Sequence, residues 1–207
     1  MKKIVFLLLL TTLTYSFSQS NAAAIKIGFF SPSAVDGTGF IIGYEGGKHI
    51  DEALDVCWSV DWFSKEWEDK DAKEVAQQIP GLEPSEHTKL SETSINDFPV
   101  MFSITAKFPI NQKTKWFLTG GLGAEILIAT YNVYVGEIEE EVEVAVDWNW
   151  RAGLGVLYNL GQSSELFGEC TFHYSLPSYS YDQNDLEIER EYDMKGILGR
   201  VGVRYYF

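Results

Sequence analysis

The residues of this chain that could do covalent chemistry are few and close together. His173-Tyr174-Ser175 sets an imidazole and a hydroxyl two residues apart, on the same face of an extended chain, with Glu187 following in the next connection. A hydroxyl, a base and a carboxylate that orients the base are the parts of an acyl-transfer site. The same His and Ser on a polar face also serve as interior filling, and that is the simpler reading. Cys57 and Cys170 are too few for a disulfide scaffold and lack the Cys/His spacing of a zinc site. Their faces fall on opposite sides of non-adjacent stretches, so both are expected to stay free. No metal or cofactor is expected.

A second group of titratable residues sits inside otherwise apolar stretches. Glu45, Asp55, Asp61, Glu125 and Glu169 stand against Lys26, Lys107, Arg151, Arg200 and Arg204, all on faces otherwise made of Gly, Ser and Thr. Opposed charges among small residues make a packed polar interior. Their simplest role is structural, with a narrow conductance or proton path as the lesser reading.

The elements that position these residues alternate with a period of two. Helical periodicity is almost absent, and eight stretches approach the roughly 9–11 residues that a tilted membrane strand needs. The clearest set Val56, Trp58, Val60 and Trp62 against Asp55, Cys57, Ser59 and Asp61, and Phe98 to Phe108 against Met101, Ser103, Thr105 and Lys107. The last stretch ends the chain, with Ile197, Val201, Val203, Tyr205 and Phe207 on one face. Short connections, Gly46 to Ala53, Pro109 to Lys115 and Gly161 to Glu165, alternate with long ones, Ser64 to Asp97, Ala129 to Ala145 and Leu176 to Lys195. Only Ser31 to Asp36 is a brief connection on the long side. Within the first long loop, Lys65 to Ile79 is polar and of helical character, followed by the breakers Pro80-Gly81 and Pro84.

The amino terminus reads as a secretory leader: Lys2-Lys3, an apolar run from Ile4 to Leu10, then small polar residues with cleavage after Ser18. Residues 1–18 are therefore expected to be the signal peptide and 19–207 one domain. The whole chain of 207 residues carries net charge -14, and losing the two leader lysines takes the mature chain to -16. Nucleic acid is not an expected partner. No segment offers the roughly 18 uninterrupted apolar residues of a membrane helix.

Side-chain volume decides which face points out. An eight-stranded barrel has an interior only just filled by side chains. Five tryptophans on the apolar faces, Trp58, Trp62, Trp116, Trp148 and Trp150, would overfill it. The apolar faces are therefore expected to meet lipid and the polar ones to line the lumen. The aromatics gather near the ends of the apolar faces, Phe108, Trp116, Tyr158, Tyr205 and Phe207 at one rim, Trp58, Trp62, Trp148 and Tyr174 towards the other, as interfacial girdles require. The expected fold is all-β, an eight-stranded antiparallel transmembrane β-barrel with short periplasmic turns and long acidic extracellular loops. The alternative is a soluble, secreted, lipocalin-like binding barrel with its apolar faces inward.

A leader, eight alternating strands and a final Gly202-Val203-Arg204-Tyr205-Tyr206-Phe207 ending on an aromatic together resemble the small outer-membrane β-barrel family of the OmpX/OmpA type, often called the porin family. The resemblance spans the whole mature chain. It implies the bacterial outer membrane, with lipid and lipopolysaccharide as surroundings, a monomer, and Val203, Tyr205 and Phe207 as the signal read by the barrel-assembly machinery. It implies no particular activity. An open pore is not expected at this strand number, and a structural, envelope-protective or surface-interaction role is the leading expectation. His173, Ser175 and Glu187 are also similar to the His-x-Ser and downstream Glu of outer-membrane lipid A deacylases, so an esterase is the alternative. Leu176-Pro177 departs from that family, which has Asn after the serine.

The outer connections are strongly acidic, with Glu137, Glu139, Glu140, Glu141 and Glu143 in one and Asp182, Asp185, Glu187, Glu189, Glu191 and Asp193 in another. Apolar residues alternate with them, which suggests strands continuing beyond the membrane as a ribbon. Parity shifts between Met194 and Ile197, so a bulge is expected near Gly196. Such a surface suits divalent cations, lipopolysaccharide bridged by them, or a basic partner, and also serves to solvate and protect strand edges.

Overall fold

Alternation of apolar and small polar residues folds this chain as strands, and closing the strands on one another removes every edge within the membrane. The computed structural model describes residues 22–35, 37–68, 91–133, 139–183 and 186–207. The elements are β1 Ala22–Pro32, β2 Gly39–Asp51, β3 Leu54–Glu68, β4 Ser91–Pro109, β5 Thr114–Val133, β6 Glu139–Asn159, β7 Ser164–Ser175, β8 Ser178–Gln183, β9 Leu186–Glu191 and β10 Gly196–Tyr206. Eight of them close a barrel in the order β1-β10-β7-β6-β5-β4-β3-β2, and β8 and β9 form a separate two-stranded ribbon. Neighbours in the barrel run antiparallel throughout, the terminal pair β1 and β10 closing it with Ile25 opposite Val203.

The apolar faces point outward. Phe29, Phe102, Leu122, Val146 and Leu154 are 58–68% exposed, while Lys26, Asp61, Glu125 and Arg200 on the opposite faces are at most 5% exposed. The result is an apolar belt around the whole barrel, where a soluble monomer carries patches of roughly 300–600 Å² at most. The fold is a transmembrane barrel, and the lipocalin-like alternative, which needs those faces inside, falls. Aromatic pairs mark its rims: Phe108 stacks on Trp116 with ring centroids 4.4 Å apart at one end, and Trp150 on Tyr174 at 5.6 Å towards the other.

Three expectations are corrected. The strands β4, β5 and β6 run to 19, 20 and 21 residues; the continuation expected of the acidic connections is present, and part of the first long connection, read as a loop, is strand as well. Lys65 to Glu68 in particular is not helical but pairs in register with Glu92 to Ile95, because the ladder with β4 satisfies its backbone. Second, no bulge occurs at Gly196, whose pairing with β1 and β7 is regular. The parity change is made by a break: Tyr192 to Lys195 leave strand conformation, and their backbone bonds Pro177, Ser175, Ser33 and Ala34 instead. Third, the interior is not polar throughout, since apolar side chains gather towards both of its ends. The leader 1–18, the 69–90 segment and Glu137 lie outside the described residues, as do Asp185 and the side chains of Glu139, Glu140, Glu141, Asp182, Glu187 and Glu189.

Candidate functional site in the barrel interior

Strand tilt and alternation bring inward-facing residues of all eight barrel strands into layers. At the periplasmic end the inward positions are Phe117, Leu157, Phe167 and Ala24, a small apolar group, beside a polar mouth. There Tyr206 donates its hydroxyl to Glu165 Oε2 at 2.6 Å and accepts from Lys107 Nζ at 3.3 Å. A cavity of about 490 Å³ opens at this mouth, lined by His49, Lys115, Asn159 and Tyr206 among others.

The charged layer comes next. Lys107 Nζ lies 2.8 Å from Asp55, and Arg204 bridges Asp55 at 3.1 Å and Glu45 at 2.7 Å. Lys26 Nζ pairs with Glu45 at 2.6 Å and reaches Glu169 at 3.9 Å. Arg200 joins Glu169 at 2.6 Å to Asp61 at 2.8 Å, and Arg151 also holds Asp61, at 2.6 Å. Glu45, Asp55, Asp61, Lys107, Arg151, Glu169, Arg200 and Arg204 thus form one connected web with Lys26. Glu125 stands above it, paired with His173 at 2.7 Å. Buried pairs of this kind stabilise little against an apolar alternative, but losing one member of a pair is costly. The void left within the layer is about 20 Å³, room for about one water and no more.

Glycines make the layer possible by letting side chains cross the wall. A Cβ on Gly43 would stand 1.9 Å from Asp61 Oδ1, and one on Gly123 would stand 1.9 Å from the Val100 carbonyl and 2.8 Å from Asn149 Oδ1. At Gly123 the neighbouring backbone bars any side chain, while at Gly43 a Cβ would have to push the Asp61 carboxylate aside.

Above the charges lies an apolar layer that alternation alone does not reveal. Phe30, Ile41, Phe63, Ile95, Leu127, Met194 and Leu198 face inward and are at most 2% exposed. Phe30 meets Phe63 edge-on at 5.2 Å and His173 at 5.3 Å. Tyr192 and Met194, delivered by the break between β9 and β10, complete the cap from above. The Tyr192 hydroxyl bonds Glu143 and lies 2.6 Å from that of Tyr131.

His173 and Ser175 both face the interior and are wholly buried. His173 is oriented by Glu125 of β5 through Nε2, and its Nδ1 accepts from Arg151 Nε at 3.4 Å. Among the described residues Ser175 Oγ meets no hydrogen-bonding partner. Glu187 is on β9 opposite Asp182 in the outer ribbon. Cys57 is buried and Cys170 exposed on the outer face, both free. Val203, Tyr205 and Phe207 face outward at 49–64% exposure along the closing strand. Sequence reading misses His49, Asp97 and Glu165, and puts Asn149 and Tyr206 on the inward faces without giving them a part in the site. Asp97 and Asn149 do follow the inward parity of their strands, and that parity is the available signal.

No family model matches the chain, and no curated protein matches it in sequence. Solved structures do share its fold. A major outer membrane protein from Thermus thermophilus aligns with TM-score 0.57 at 12% identity, over 90% of this chain and 99% of that one. Neisserial surface protein A gives 0.53 at 13% identity, over 90% and 95%. Ail of Yersinia pestis, in complex with the heparin analogue sucrose octasulfate, gives 0.53 at 15% identity, over 91% and 100%. A closed eight-stranded barrel with an apolar outer belt and a filled, charged lumen defines this protein as a small outer-membrane β-barrel. At these identities the likeness is one of fold.

Proposed function

We propose that this chain is a structural and surface-interaction protein of the bacterial outer membrane and not a pore. The observation that carries the reading is the interior itself, a charged web with a void of about 20 Å³ beneath an apolar cap. Hydrated solutes have no path through it. The strands β4 to β6 exceed by about 10 residues what a membrane strand needs, so they carry a sheet outward, β6 running through the acidic sequence 139–141 beyond Glu143, which is itself buried against Tyr192. A surface of that charge suits a basic protein or lipopolysaccharide bridged by divalent cations, in contrast to the polyanionic heparin analogue held by Ail.

The leader at 1–18 delivers the chain to the periplasm, and Val203, Tyr205 and Phe207 serve as its assembly signal, the barrel standing as a monomer. Cell fractionation with electrophoresis of boiled and unboiled samples tests the placement, an outer-membrane band migrating faster unboiled being expected. Planar-bilayer recording tests the closed interior: steady open-channel conductance would overturn it. Binding to lipopolysaccharide vesicles that strengthens with added divalent cation supports the surface role, and binding indifferent to the cation counts against it. The esterase reading predicts lipopolysaccharide hydrolysis lost in Ser175→Ala. With His173 and Ser175 sealed in the lumen, away from any acyl chain, we expect no such hydrolysis.

A further inference from the structure

Gly120 interrupts the outer belt of the barrel. On β5 it faces lipid in line with Trp116, Leu118 and Leu122, and a Cβ there would meet nothing nearer than the Arg151 carbonyl at 4.0 Å. Its cross-strand partners are Ile104 on β4 and Ala152 on β6, so two adjacent strands carry no more than a methyl group at this level. The outward Gly46 of β2 differs, because the Trp58 ring lies 2.7 Å from where its Cβ would stand.

Large side chains stand around the gap. On its outer side Phe102, Leu122 and Trp150 pair across β4, β5 and β6, and on its periplasmic side Leu118 pairs with Leu154. Phe102, Ile104, Leu122 and Leu154 are 56–68% exposed. The hollow they leave has a volume of about 620 Å³, with Val56, Phe102, Ile104, Leu122 and Trp150 around Gly120.

Depth and chemistry define the occupant. Gly120 lies four residues beyond Trp116, whose stack with Phe108 marks the periplasmic rim. At about 3.3 Å per residue and a tilt of about 45°, that is roughly 9 Å into a hydrocarbon band of about 25 Å. No charged side chain lines the hollow, and Ser103, which borders it, belongs to the lumen. The backbone beneath is paired on both sides by the ladder, so a polar guest would lose its hydrogen bonds there. A second barrel would need about 1,000 Å² of matched contact, and Phe102 and Leu122 hold a flat wall off the floor. A hydrocarbon chain needs neither. Neighbouring strands are about 4.8 Å apart, so the two short positions clear a slot in which its carbons reach the walls at about 3.5–4.0 Å.

We propose that this hollow is a lipid seat, holding one acyl chain of a membrane lipid in a fixed position while the rest of the belt exchanges its chains freely. The surrounding lipid is as apolar as the walls, so the gain is close packing rather than release of water. The seat therefore selects for the shape of the chain and not for the headgroup. It rests on the outward orientation of the apolar faces and is independent of the surface role.

Reconstitution of the full barrel with a phospholipid that carries a photoactivated diazirine on one acyl chain tests the seat, the labelled residues being mapped by mass spectrometry. Labelling of Phe102, Leu122 and Trp150 should exceed severalfold that of Ile27 and Val201, which pair with each other on β1 and β10 and are exposed to the same lipid. Gly120→Phe fills the hollow and should bring its labelling level with those two residues while the heat shift is kept. Gly199→Phe, three strands away on β10, should leave the labelling of the hollow unchanged. If Gly120→Phe does not assemble, Ala152→Leu closes the same hollow from β6 and should have the same effect. Even labelling around the native belt, or labelling of the hollow that survives its filling, would overturn the proposal. Crosslinks between two copies through Leu122 and Trp150 in place of lipid labelling would put a second barrel in the hollow and overturn it as well.

Discussion

Asp61 shows how much a single inward side chain carries. Its carboxylate receives both Arg151 and Arg200, and it occupies the space that Gly43 leaves empty. Asp61→Ala leaves the buried Arg151 without a carboxylate and Arg200 with Glu169 alone, which costs about 3–5 kcal/mol. The expected result is a clear fall in the temperature at which the unboiled band converts to the boiled one. Gly43→Ala should act in the same direction, since its Cβ must displace that carboxylate. Wild-type midpoints in both variants would mean that water, not the arginines, satisfies Asp61. Residues such as Asp61 are legible in the sequence because a charge interrupting an apolar alternation has few places to go. Asp97 is not, because it abuts Phe98-Pro99 at what reads as the end of a loop. A partner on a distant strand is likewise invisible without the register: sequence proximity matches Glu187 to His173, whereas Glu125 is its neighbour in space.

At the scale of elements the decisive piece is the break between β9 and β10. Once strand geometry is abandoned at Tyr192, its side chain and that of Met194 turn into the mouth, where Met194 is 0% exposed. Met194→Ala should cost about 2–5 kcal/mol, as for a buried large-to-small change, read again from the heat-shift midpoint. A cost within error would mean that the cap collapses to refill the space. Burial, with the bond to Glu143 adding to it, raises the Tyr192 phenol well above its usual range. The hydroxyl therefore stays a donor at every pH at which the membrane survives. Tyr192→Phe removes the O–H that Glu143 accepts and should cost about 1–3 kcal/mol. That loss should be the same at pH 6 and pH 9, and a loss confined to one of them would show the phenol ionising. Strand number, parity and turn order can be read from alternation alone, but this cap cannot. Its members come from strand ends and a connection, where the period of two stops being informative and only the three-dimensional closure of the mouth selects an apolar residue.

For the whole molecule, every statement about interior and exterior rests on one inversion, apolar outside and charged inside. Volume argues for it from sequence, since five tryptophans do not fit an eight-stranded lumen. The structure distributes them accordingly: Trp62, Trp116 and Trp148 are 40–56% exposed on the outer surface. The inversion also explains why composition alone does not betray a membrane protein, because the charges that make the average hydropathy unremarkable are folded away. Lipids brominated along their acyl chains quench only indoles that touch them, so reconstitution into such lipids should remove most of the tryptophan fluorescence of the native barrel. Trp116→Phe and Trp148→Phe should each lower the quenched fraction, the first mainly with bromines near one headgroup region and the second with those near the other. Emission that brominated chains leave untouched would put the tryptophans inside and turn every strand over.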